Sequence, residues 1–194
     1  AGVGFFPPGT PDATDAGLET IRPRYTDAQA RDALTAAGYK GEKIVQVVPA
    51  ELPAPNAMAE VARALFKELG LNIDYQAMDW GTMIGRIQSK DPNVVKGWNV
   101  YCISWAGLWP SNPGSHIPLY GSTPNPRMDA LRDAWFDAPD LAAQQKVTAD
   151  MQLLGLREPP YIPIGQYFIP HAFRTGLTGF VKAANTVLWG VKKG

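Results

Sequence analysis

The pattern that most narrows the fold is a strand, a helix and a second strand packed between residues 43 and 78. Residues 43–48 (Lys-Ile-Val-Gln-Val-Val) are rich in β-branched side chains, which suit a pleated, half-buried surface. After Pro53 and Pro55, Asn56 is placed to cap a helix whose apolar residues Met58, Val61, Ala62, Leu65, Phe66 and Leu69 recur at steps of three and four. Gly70 supplies its stop, and residues 71–78 alternate as a second strand. Two strands joined by a helix and a tight return turn form a right-handed crossover between parallel neighbours, so the chain is expected to be α/β.

The remaining elements extend that pattern. Thr26 with Gln29 makes a capping box ahead of Ala30, Ala33, Leu34 and Ala37, and Gly38 ends this helix. Asp79 caps a helix through Ile84 and Ile87, followed by a turn at Asp91-Pro92. Residues 100–105 read as a short buried strand. Pro126 opens a helix whose stripe of Met128, Leu131 and Trp135 is expected in the core. Asp140 caps another with Leu141, Val147, Met151 and Leu154, ended by Pro159-Pro160. Residues 161–168 read as extended, but Pro163 removes a ladder donor and points to an edge or a crossing segment. A short strand is expected over 186–191, and residues 1–25, broken by Pro7, Pro8, Pro11 and Pro23, read as loop.

Composition excludes several classes. Eighteen basic residues cancel eighteen acidic ones, which leaves no nucleic-acid footprint and no anionic-membrane surface. No stretch reaches the ~20 continuous apolar residues of a membrane span. The opening residues show neither a basic-then-apolar signal peptide nor an initiator methionine, so a processed chain or an excised fragment is expected. Cys102 is the only cysteine; an intramolecular disulfide is impossible, and its place among apolar residues reads as packing.

Catalytic and metal chemistry find little purchase. His116 and His171 have no cysteine or carboxylate at ligand spacing, so neither metal nor cofactor is expected. No glycine-rich phosphate loop follows a strand, and no Gly-x-Ser-x-Gly elbow exists. An α/β-hydrolase-like enzyme built on Ser104, His116 and Asp79, or a stand-alone interaction domain, stay as alternatives. Asp129 and Asp133 lie beside Arg127 and Arg132 as the solvated face of a helix. The distinctive loop is 101–114: Trp105 and Trp109 stand four apart, followed by Pro110, Asn112 and Pro113. Such a loop presents flat apolar faces to a ligand, or its indoles plug the core.

The order of these pieces resembles a known family. Residues 25–39 (Tyr-Thr-Asp-Ala-Gln-Ala-Arg-Asp-Ala-Leu-Thr-Ala-Ala-Gly-Tyr) are similar to the Y-D-x-x-x-A-x-x-L-L-x-x-A-G-Y run of family 5 extracellular solute-binding proteins, the peptide/nickel-type receptors of ABC importers. Residues 56–74 resemble their helix followed by G-I-x-V, and Asp79-Trp80, Arg86, Lys90, Pro92 and Gly97-Trp98-Asn99 resemble a D-W…R…K…P…G-W-N stretch. Trp105 with Asn112-Pro113 is similar to W-x-x-D-x-x-D-P, and residues 142–164 to R-x-x-x-Y-x-x-x-Q-x-x-L-x-E-x-x-P-x-I-P-L. Leu177-Thr-Gly-Phe and Trp189-Gly-Val-Lys resemble the family's V-x-G…W-x-V-x-K ending.

The resemblance implies a periplasmic-binding-protein type II-like carboxyl-terminal lobe, a mixed sheet flanked by helices, from which the larger amino-terminal part is missing. Residues 1–168 would form the second, ligand-closing lobe; 169–194 would return to the first lobe, the crossing falling near 165–170. It implies a non-enzymatic receptor, periplasmic or lipid-anchored on the outer face of the inner membrane. Its partners would be a peptide or other small solute, the importer's membrane permease and the first lobe of the same receptor. Trp105 is the implied aromatic wall, with Trp109 a second on spacing, and Tyr101 and Asn112 as further contacts. Many peptide-binding members carry an acid three residues after the tryptophan, where this chain has Leu108. An ammonium buried there without a carboxylate is costly, so Leu108 argues for a bulkier, less charged or aromatic solute.

Overall fold

In the computed structural model, which describes residues 3–21, 25–89, 91, 97–105, 112–115, 124–181, 183 and 186–194, the expected crossover is present. Strand β1 (Lys43–Pro49) pairs in parallel with β2 (Asn72–Met78), from Lys43 opposite Asn72 to Pro49 opposite Met78. Helix α2 (Pro53–Glu68) connects them, and Gly70 takes the positive φ of +84° that its closing turn needs. Helix α1 (Asp27–Ala36) precedes them with the predicted Thr26–Gln29 capping box, and α3 (Trp80–Gln88) follows with Asp79 as cap. These elements form one compact unit, Pro23–Ser104 with Tyr120–Ser122.

Two expectations fail locally. Helix α2 begins at Pro53 with Leu52 as its cap residue, and Asn56 is inside it, donating its backbone N–H to the Leu52 carbonyl at 2.9 Å. Prolines at 53 and 55 carry no N–H, so two of the donors a side-chain cap would satisfy do not exist, and their fixed φ already suits a first turn. The expected strand over 100–105 shrinks to one parallel bridge, Val100 opposite Gln46. Val47 N donates to Val100 O at 3.0 Å, and the Asn99 side-chain oxygen accepts from Val45 N at 2.7 Å. The next donor facing that side of β1 is residue 49, a proline, and the ladder ends there.

Strand β1 therefore runs between β2 and the Val100 bridge and is covered on both faces. Val47 packs with Met83 and Ile87 of α3. Gln46, fully buried, turns to α2 and donates from Nε2 to the Ala59 carbonyl at 2.8 Å. Beside it on β2, Tyr75 carries the Arg63 guanidinium 4.6 Å above its ring, and burial with a Glu60 hydrogen bond pushes its hydroxyl pKa up to about 12.

The second unit comprises Ala1–Arg22, Trp105–Leu119 and Thr123–Gly194. Helices α4 (Pro126–Phe136) and α5 (Leu141–Arg157) pack together. Asn125 caps α4 and Asp140 caps α5, the latter as expected. Residues read from sequence as loop supply much of this core: Phe5 and Phe6 are 2% and 0% exposed, against Met128 and Met151. Trp135, expected in the core, is half-buried, and its indole N–H donates to the buried Asp12 Oδ1 at 3.0 Å.

Beyond α5, residues 161–168 form neither helix nor ladder. The strand expected over 186–191 resolves into a Val181–Val187 bridge and the two-residue strand β4 (Lys192–Lys193), antiparallel to β3 (Leu177–Thr178). Among the described residues, no helix is long and apolar enough to cross a membrane, and no group of His, Cys, Asp and Glu is arranged to hold a metal.

Candidate functional site

Parallel strands deliver their carboxyl ends to one edge, and in open α/β sheets that edge is where ligands bind. Here it gathers the turn after β1, the turn after β2 and the run that leaves Val100. The two turns are tied to each other: Ala50 N donates to Met78 O at 2.9 Å, and Trp80 N donates to Glu51 Oε1 at 2.5 Å. Asp79 Oδ1 accepts from Thr82 N at 2.9 Å, and these Thr82 bonds hold the Asp79 carboxyl below its usual range. Two carboxylates thus occupy the amino end of α3, which makes that helix end unfit for an anionic ligand.

The third run is set from behind by Arg86. Its guanidinium donates to Gln76 Oε1 at 2.6 Å and to the Gly97 carbonyl, fixing the point from which Trp98 and Tyr101 depart. Tyr101 is half-buried, edge-on to Trp98 at 5.5 Å, and both rings cover the Val47–Met83–Ile87 cluster. Cys102 and Ser104 are half-buried, and burial pushes the Cys102 thiol pKa up, which keeps it protonated and poorly nucleophilic.

Trp105, the next residue but one after Ile103, is 37% exposed and opens the stretch assigned to the other unit. Asn112 is exposed; its side-chain oxygen accepts from Gly114 N at 2.8 Å, heading the short 3-10 turn Pro113–Ser115. That turn leaves the donor end of the amide uncommitted to it. Gly114 sits so near Phe136 that an added Cβ would be 2.7 Å from the ring, so α4 backs this turn. Leu108, Trp109 and His116 lie outside the described residues.

The residues proposed from sequence are therefore placed individually, with Tyr101 joined to Trp98. Asp79 works as a helix cap, and the alternative set of Ser104, His116 and Asp79 includes His116, which lies outside the described residues. Sequence reasoning missed Glu51 and the roles of Arg86 and Asn99. The signals were present: a charge between Ile84 and Ile87 on an apolar helix must find a partner, and Glu51 stands two residues past a strand end.

The model of the bacterial extracellular solute-binding proteins, family 5 (middle), matches residues 1–127. A Sinorhizobium fredii protein named as a probable peptide ABC transporter periplasmic-binding protein is 27% identical over 187 residues, covering 92% of this chain and 35% of its own length. The crystal structure of a dipeptide-binding protein from a Pseudoalteromonas species, in complex with Met-Leu, superposes with a TM-score of 0.63 at 20% identity, over 100% of this chain and 40% of its own. A mannohexaose-bound periplasmic oligopeptide-binding protein from Thermotoga maritima gives 0.59 at 17% identity, over 81% and 34%. The shared fold is the type II periplasmic-binding fold, and the chain spans about a third of the length of the curated relative.

Proposed function

The chain belongs to the bacterial extracellular solute-binding proteins of family 5, and from that premise we propose that it is the carboxyl-terminal part of a receptor that captures a peptide-like or other small organic solute for an ABC importer. The observation that carries the reading is the family match over residues 1–127. The proposal assigns residues 1–168 to the lobe that closes on the solute and 169–194 to a segment that returns to the first lobe. Its partners are that first lobe and the importer's membrane permease. Its place is the periplasm, free or lipid-anchored on the outer face of the inner membrane.

In this reading the solute is bound and released unchanged, and closure of two lobes about a hinge signals occupancy. Trp105, more than a third exposed, is the leading wall of the cleft. Trp109 is the second, Asn112 a hydrogen-bond donor, Tyr101 a support through Trp98, and Leu108 an apolar contact. Leu108 offers nothing to an ammonium, which favours solutes that are bulky, aromatic or weakly charged at that end.

The test is titration of the complete receptor with di- and oligopeptides and with uncharged or aromatic small solutes, followed by tryptophan fluorescence and small-angle scattering. A saturable signal with a smaller radius of gyration is expected for at least one solute; no response to any of them contradicts the proposal. Trp105→Ala should weaken that binding roughly tenfold, as removal of a central aromatic anchor does. Trp135→Ala should leave affinity unchanged and lower the unfolding midpoint. Equal affinity in both variants would reduce Trp105 to a structural role.

A further inference from the structure

An ionised solute group is costly to take out of water unless an opposite charge or a full set of hydrogen bonds receives it. A receptor for such a solute therefore needs charged side chains where it grips. Residues 97–126, the run that contains the tryptophan loop, hold no Lys, Arg, Asp or Glu; all eighteen basic and eighteen acidic residues lie outside it. The next longest run without charge, 159–173, is half that length. Polarity is nonetheless kept: ten side chains of the run are hydroxyls or carboxamides, interleaved with three tryptophans. That combination recognises a neutral molecule with both apolar faces and many hydrogen-bonding groups.

In the unit that includes Trp105, one part of this run has a defined setting. Asn112 is exposed, and its Oδ1 accepts from Gly114 N at 2.8 Å. A Cβ built on Gly114 would be 2.7 Å from the Phe136 ring and 3.1 Å from Asn112 Oδ1, so the absent side chain is what lets ring and amide come together. Phe136 ends α4 and is 61% exposed, although a large aromatic at a helix end gains most by burial. Its plane is braced edge-on by Trp135 at 5.2 Å, which is itself tied to Asp12. A fixed, exposed aromatic plane beside an exposed carboxamide suits a sugar ring. The ring's C–H face lies on the aromatic plane, and its hydroxyls exchange hydrogen bonds with an amide that both donates and accepts.

The other unit, taken by itself, is equally unsuited to a zwitterion. The turns after β1 and β2, residues 49–53 and 78–85, contain no Lys or Arg for a solute carboxylate. Their two acids are engaged, Glu51 by Trp80 N and Asp79 by Thr82 N, and the positive amino end of α3 that they cap disfavours a cation there. We propose that the solute is an uncharged, polyhydroxylated molecule of the carbohydrate class, and that Asn112 and Phe136, brought together over Gly114, form one of its contact points. This rests on the reading of the chain as part of a solute receptor and narrows the class of solute that it takes.

The test is calorimetric titration of the complete receptor with cello-, manno- and malto-oligosaccharides, with zwitterionic di- and tripeptides, and with N-acetylated peptide amides, at low and high NaCl. Small-angle scattering reports closure in each case. At least one oligosaccharide should bind and compact the receptor, with an affinity that salt changes by less than about twofold, because no ion pair is involved. Phe136→Leu, which keeps bulk and loses the plane, and Asn112→Ala should each weaken that binding roughly tenfold, as loss of an anchor does, while the unfolding midpoint stays in place. Sugar binding that neither variant changes overturns the Asn112–Phe136 contact point. Binding of zwitterionic peptides or of the amides in preference to every oligosaccharide overturns the solute class and leaves the receptor reading standing. Compaction with none of the solutes overturns the receptor reading, and the inference with it.

Discussion

Two stretches of this chain share a wealth of proline and aromatic residues and meet opposite fates. Residues 3–17 and 159–194 are both rich in proline and aromatic residues and poor in regular structure. In the first, Phe5 and Phe6 are buried and the backbone is strapped to α5: Gln152 Nε2 donates to the carbonyls of Thr14 at 3.1 Å and Ala16 at 2.7 Å, and Gln145 Nε2 to that of Pro11 at 2.9 Å. In the second, Phe168 and Trp189 are exposed. The difference teaches that burial follows from a partner, not from local sequence. Helix α5 offers the first stretch a fitted surface, with Gly155 leaving room for the Phe5 ring where an added Cβ would be 2.8 Å away. The described residues offer the second stretch nothing comparable past Tyr161.

Substitutions in the two stretches should therefore separate widely. Phe6→Ala should cost about 3–5 kcal/mol in denaturant unfolding of the chain, as truncation of a fully buried aromatic does. A much smaller loss would mean that the strap is not part of the core. Asp12→Ala should cost less, about 1–3 kcal/mol, by removing an acceptor that two donors share, of which the Thr148 hydroxyl keeps the Gln144 carbonyl at 3.0 Å. The two donors are the Trp135 indole N–H at 3.0 Å and the Thr148 hydroxyl at 3.1 Å from the same oxygen. An intrinsic tryptophan emission shifted in step with that loss would assign it to Trp135.

Asp79 gives a smaller effect with a pH signature. Its carboxyl ionises more readily in the folded protein than in the unfolded one. The cap contribution is then fully present above the unfolded pKa of about 3.9 and is lost as pH falls through the lowered folded value. Asp79→Ala should be less stable than the natural chain at neutral pH, and the gap should narrow below about pH 4; a gap constant with pH would place the stabilisation elsewhere. Smallest of all, Phe168→Ser combined with Trp189→Ser should change the stability of the 194-residue chain by no more than about 0.5 kcal/mol. A large loss there would show that the exposed strip is packed after all.

How much of this was legible in the sequence depends on whether a signal is local. The Thr26–Gln29 box, the Asp79 and Asp140 caps, Gly70 and the β1–α2–β2 crossover were readable because each acts within a few residues. The bridge at Val100 was overread, because what ends it is the missing N–H of Pro49, more than fifty positions away in the chain. Phe5, Phe6 and Asp12 were read as loop for the same reason: their partners Met151, Thr148 and Trp135 are over a hundred residues distant and no periodicity announces them. At the candidate site, the tryptophan loop stood out by composition, while the Glu51 and Arg86 ties, which depend on neighbouring strand ends, did not.

The exposed strip of residues 161–191 lacks only its partner if it becomes protected in the complete receptor. Hydrogen–deuterium exchange, measured by mass spectrometry on the 194-residue chain and on the complete receptor, tests this directly. Residues 4–17 should be protected to the same degree in both, and residues 161–191 should be open in the shorter chain and protected in the complete receptor. Equal exchange of residues 161–191 in the two proteins, whether fast or slow, would contradict it.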